Sequence, residues 1–244
     1  MVNSTKNPAV EEVLFSSEKF LLKGFLHLPP FHNPPLVIGL HGLFSDKNSP
    51  KQIQLAQQCN RRNIAFFRFD HRGCGESDAP FGEKTSLDAR CTDLIAAIKM
   101  LKTRNDLGAQ MGLFGSSMGG AVCLAAARDV KPAAIVTWAA PIRSIDLIES
   151  RAVRKTPEND SIPFKKNPFN ISNRLSDIHH ILILHGEKDE TVPLSHASEI
   201  LKGVREPKKL ILFSSSDHRM SRRADQQKFM RLAASWFESY LKPV

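Results

Sequence analysis

The chain has 244 residues, enough for one large domain with a full core and short for two. Hydrophobic residues make up 41% and charged residues 24%, which excludes a disordered chain. The 34 basic against 25 acidic residues leave a formal charge of +9. The basic residues are scattered in short pairs among acids, which describes a solvated surface and no recognisable nucleic-acid module.

The first residues, MVNSTKNPAVEEV, lack the apolar core of a signal peptide. The longest apolar stretch, AAIVTWAAPI (133–142), is too short to span a bilayer. Cys59, Cys74, Cys91 and Cys123 show no CxxC spacing, so free thiols in a reducing compartment are expected rather than disulfides or zinc ligands. Cytoplasm is the expected location, and no metal site is expected.

In chain order, EEVLFSS and FLLKGFLHLP read as two opening strands forming a hairpin. PLVIGLHG (35–42) is a β-branched apolar run ending in glycine, as a buried strand would. A helix follows in NSPKQIQLAQQCNRR, with Ser49 as N-cap, Pro50 at its first position and Gln52 as capping-box partner. IAFFRFD (64–70) is the next strand and HRGCGESDAP a loop. Leu87, Cys91, Leu94, Ile98 and Leu101 recur at helical spacing. MGLFG is a strand, residues 118–129 an alanine-rich helix and AAIVTWA a strand. HILILHG (180–186) and KLILFSS are two more strands. The last helix carries Phe229, Leu232, Ala233, Trp236, Phe237 and Tyr240 on one face. Strands alternating with helices predict a mostly parallel sheet covered on both sides, with its site at the carboxyl ends of the strands. Residues 141–178 break the rhythm. They are too long for an ordinary loop and are expected to form a small cap over the strand ends.

GSSMG (115–119) places Ser117 at the centre of G-x-S-x-G, between a strand and a helix, where a nucleophile needs tiny neighbours on a sharp turn. Ser116 has the wrong spacing from the glycines. A serine hydroxyl needs a base, and His218, in the loop between the last strand and last helix, is the best placed of nine histidines. The base needs an acid to fix its tautomer. Asp189, in the loop after ILIL, is the candidate, with Glu187, Glu190 and Asp217 as alternatives. Backbone amides for the oxyanion are expected from Met118 and from HGLF (41–44), with Leu43 first and Phe44 second. Phe44 and Arg72 are candidate substrate contacts, Arg72 for an anionic group.

Taken together, HGLFSD, DHRGCGES, GSSMGG, HGEKDETVP and SDH resemble the α/β-hydrolases over nearly the whole chain. Within that superfamily the sequence is similar to the compact esterase, monoacylglycerol-lipase and serine-aminopeptidase-like group. The resemblance implies one domain over 1–244 in the α/β-hydrolase fold, with an eight-stranded, mostly parallel sheet. It also implies hydrolysis of an ester, thioester or amide without a cofactor. DHRGCGES is then a structural turn near the site. The expected reaction is cleavage of carboxylic esters with small to medium acyl groups through an acyl-enzyme. Thioesterase and aminopeptidase-like amidase activities are alternatives. The required neutral histidine predicts a rate that rises through about pH 6 to 7. A ligand-binding protein on the same fold and a binder of anionic surfaces are the non-enzymatic rivals. The oligomeric state is left open.

Overall fold

The computed structural model describes residues 9–80, 85–148 and 167–241. Apolar runs without polar alternation must bury both faces of a strand. β3 (Leu36–Leu40), β4 (Ala65–Phe69), β6 (Ala134–Trp138) and β7 (Ile181–Gly186) do so at every residue. With β1 (Ala9–Ser17), β2 (Phe20–Leu28), β5 (Met111–Ser116) and β8 (Lys208–Phe213) they form an eight-stranded sheet of order β1-β2-β4-β3-β5-β6-β7-β8. The opening hairpin is antiparallel and β2 pairs antiparallel with β4, while all later pairings are parallel. Period-two alternation divides the strand side chains between two cores. Ile38, Phe67, Leu113, Ile135 and Ile181 share one face, and Val37, Phe66, Phe114, Val136 and Leu182 the other.

Helices α2 (Leu87–Leu101), α3 (Met118–Val130) and α5 (Ser195–Gly203) close the first core. Helices α1 (Pro50–Asn60) and α6 (Arg223–Tyr240) close the second, α6 through Phe229, Met230, Ala233, Ala234 and Phe237. One local expectation needs correction. Pro50 opens α1, but the Ser49 side chain makes no cap bond and Gln52 is not a capping partner. Gln52 is buried, and its amide meets Gly39 O (3.2 Å) and the His41 N–H (3.1 Å). The strand-end loop takes the polar group that the helix end would have used.

The expected cap over 141–178 lies partly outside the described residues, which omit 149–166. Its described flanks hold α4 (Ile145–Ile148), a 3-10 turn over Ser172–Arg174 and a bridge between Arg143 and Asn170. Among the described residues no helix is long and apolar enough to cross a membrane.

Candidate active site

Ser117 stands between the end of β5 and the start of α3, with φ 53° and ψ −121°. A side chain held there is strained, and the packing around it enforces the turn. A β-carbon at Gly115 would collide with the Gly119 carbonyl, and one at Gly119 would collide with Leu40 O. At Gly120 it would lie 2.6 Å from Ala140 Cβ. The Ser117 N–H donates to Trp138 O (2.8 Å), and Ser117 O accepts from Gly120 N (2.8 Å), which begins α3. The hydroxyl therefore projects from the carboxyl end of a central strand on a backbone held in place by its packing.

His218 follows β8, and Asp189 follows β7. His218 Nε2 lies 3.1 Å from Ser117 Oγ. Its Nδ1 lies 2.8 and 3.0 Å from the two Asp189 oxygens. The Asp189 side chain is 1% exposed and accepts from the amides of Thr191 (2.9 Å) and Val192 (2.8 Å). A buried carboxylate so fixed can hold one imidazole tautomer and stabilise its cation. His218 is held by the Trp138 indole, which donates to its carbonyl (2.9 Å), and by Glu190, which accepts from its N–H (3.2 Å). The other candidate acids are elsewhere engaged or exposed. Asp217 turns to Ser221 and Glu187 faces solvent. His185, 3.5 Å from Asp189, donates to Val192 O (2.9 Å), and burial keeps its pKa below the ordinary value.

Leu43, Phe44, Ser117, Met118 and His218 line one cavity of about 780 Å³. A β-carbon at Gly42 would lie 3.6 Å from Ser117 Cβ, so the 41–44 loop passes at van der Waals distance from the serine. The Met118 amide belongs to the first turn of α3, whose N–H groups have no acceptor within the helix. Arg90 on α2 grips the facing loop from behind. It is fully buried and donates to the carbonyls of His41 (3.3 Å), Gly42 (3.4 Å) and Leu43 (3.2 Å). Its signal in the sequence was an arginine on the apolar stripe of Leu87, Leu94 and Leu101. Lys51, also unanticipated, lines the cavity. Nothing in its surroundings in the sequence distinguishes it from a surface lysine in a first helical turn.

Phe44 is exposed and lines the cavity. The expectation for Arg72 is overturned. Arg72 is outside the cavity lining and spent on Asp93 (Nε 2.9 Å, Nη2 2.7 Å), Glu18 (2.5 Å) and Ser17 (3.1 Å). DHRGCGES is a knot of buried charge, which also holds Asp70 against Lys47 (2.7 Å). Among the described residues no group of His, Cys, Asp and Glu is arranged to hold a metal ion.

The fold, with its serine on a strand–turn–helix elbow, makes the protein a member of the α/β-hydrolase superfamily. Within it the chain belongs to the family of the serine aminopeptidase S33, which residues 32–156 match. It is 30% identical over 189 residues to the uncharacterized protein YfhR of Escherichia coli O157:H7, covering 75% of this chain but 62% of YfhR. It is 29% identical over 219 residues to the mitochondrial palmitoyl-protein thioesterase ABHD10 of Rattus norvegicus, covering 78% of this chain and 71% of the relative. The solved esterase Pf2001 of Pyrococcus furiosus superposes with a TM-score of 0.80 over 97% of this chain and 94% of its own, at 20% identity. That last likeness is one of fold.

Proposed function

We propose that the chain is a serine hydrolase of carboxylic esters, with thioesters as the second reading. The observation that carries it is the continuous path Ser117 Oγ–His218 Nε2 (3.1 Å), His218 Nδ1–Asp189 Oδ2 (2.8 Å). His218 takes the hydroxyl proton as Ser117 attacks the acyl carbon. The amides of Leu43 and Met118 receive the oxyanion. The imidazolium, held by Asp189, then protonates the departing alcohol or thiol, and water releases the acyl group by the reverse steps. The roughly 780 Å³ cavity suits small to medium acyl groups. The thioesterase reading draws support from ABHD10, and the family's aminopeptidase name keeps amides in view. Leu147, in the described flank of residues 141–178, lines the cavity, which supports a cap role for that segment. Four unpaired cysteines fit the reducing cytoplasm.

The test is a hydrolysis screen of p-nitrophenyl esters of rising chain length, acyl-CoA thioesters and aminoacyl anilides, with wild type and Ser117→Ala. The variant should lose on the order of 10⁴-fold or more in kcat. An organophosphonate should label Ser117. Turnover that survives in Ser117→Ala would overturn the assignment.

A further inference from the structure

The cavity at Ser117 holds a cation that the reaction above leaves unused. Lys51 comes from the first turn of α1, is half-buried and lines the same cavity as Ser117 and His218. Its Nζ donates to the hydroxyl of Ser116, the residue before the nucleophile, at 3.2 Å. It stands 5.2 Å from the centroid of the Trp138 ring. A hydroxyl and a ring face compensate an ammonium poorly for lost water.

The contrast with Lys47 is direct. Lys47, fully buried, has Asp70 at 2.7 Å and Glu76 at 2.5 Å. Lys51 feels Asp189 and Asp217 only at longer range. Asp189 is committed to His218 and two amides, and Asp217 to Ser221. Burial pushes the Lys51 ammonium down to about 8, with those two carboxylates opposing the shift. An anion brought into the cavity supplies the ion-pair partner that Lys51 lacks among the described residues. Arg219, exposed beside His218, lines the same cavity and adds positive charge. Glu190 lines it too and repels an anion from its own side, which leaves the Lys51 end as the seat.

We propose that Lys51 binds a carboxylate carried by the substrate, so that the cavity selects monoanionic esters or thioesters over neutral ones of equal length. The inference rests on the reading of Ser117 for the position of the bond that is cut. The carboxylate can be carried on the acyl or on the leaving group, and the substrates sample both.

The experiment compares kcat/KM within two pairs. Mono(4-nitrophenyl) adipate against 4-nitrophenyl hexanoate places the charge on the acyl side. 4-Acetoxybenzoate against its methyl ester places it on the leaving group. Wild type, Lys51→Met, Lys51→Arg and Lys202→Met are measured, the last an exposed lysine that controls for net charge. In one pair the anionic-to-neutral ratio should fall at least about tenfold in Lys51→Met, through KM. Lys51→Arg should restore most of it, and Lys202→Met should leave the ratio where it is. An equal loss on both members of each pair would overturn the proposal and reduce Lys51 to a prop for Ser116. So would a ratio that Lys51→Met does not move in either pair. Calorimetric binding of monomethyl adipate to Ser117→Ala, with and without Lys51→Met, reads the same contact without turnover. Weaker binding in the double variant supports the site even where no ester is cleaved, in which case it is the Ser117 reading that falls. Equal binding overturns the site.

Discussion

Two buried aspartates face a histidine among the described residues, Asp93 with His71 and Asp189 with His218, and only His218 turns its second ring nitrogen to a serine hydroxyl. Asp93 is fully buried, with His71 Nδ1 3.5 Å away. Asp189 is as deeply buried, with His218 Nδ1 at 2.8 Å. What separates them is the rest of each carboxylate's company. Asp93 already takes three bonds from Arg72 and one from Ser17, so its charge is met and His71 is left a packing element between His41 and Phe69. Asp189 has two backbone amides and, among the described residues, no arginine or lysine in ion-pair contact, so its remaining partner is the ring nitrogen of His218. The two pairs therefore differ at the second ring nitrogen: His218 holds Nε2 3.1 Å from Ser117 Oγ at the cavity, while His71 packs among rings in the core.

The comparison can be broken by exchanging which property each aspartate controls. Asp189→Asn should cost on the order of 10³-fold or more in kcat, because the imidazole loses its tautomer and its stabilised cation. Its melting temperature should stay close to wild type. Asp93→Asn should do the reverse, costing about 3 kcal/mol of stability by leaving buried Arg72 short of its counter-charge. Its kcat, measured well below the melting point on folded protein, should fall far less than that of Asp189→Asn. Urea unfolding beside steady-state kinetics checks both, and matched losses in both variants would erase the distinction.

A smaller effect sharpens it. Burial lowers His71 to about 4, and burial with the Arg68 charge lowers His27 to about 4. In the unfolded chain each titrates near 6.5. The folded state therefore resists a proton that the unfolded state takes up, and stability present above about pH 6.5 is lost as pH falls towards 4. His27→Gln should flatten the fall of melting temperature across that window. An unchanged slope would show that His27 contributes nothing to it.

Much of this was legible in the sequence because the signals were local. The apolar runs of β3 to β7 and the glycines around Ser117 dictate their own conformation, and the order serine, aspartate, histidine follows from where the strands end. Lys51 and Arg90 were hidden because their meaning depends on neighbours distant in the chain, Ser116 and Trp138 for one and the 41–43 carbonyls for the other. Arg72 misled for the same reason. A basic residue in a strand-end loop looks available until Asp93, twenty-one positions on, is folded against it. Ser49 and Gln52 carried a helix-capping pattern that Gly39 and His41 outbid.

The grip of Arg90 on the 41–43 loop has a consequence for how such a protein can change. It holds main-chain carbonyls, which are alike whatever side chain each residue carries. The loop is held through its backbone by Arg90, by the His41 ring against Gly42 O and by Gln52 against the His41 N–H, while Leu43 anchors it in the core. Phe44, exposed at the mouth of the cavity, comes one residue after the last carbonyl that Arg90 holds. A change of side chain at position 44 therefore leaves every bond between Arg90 and the loop carbonyls in place.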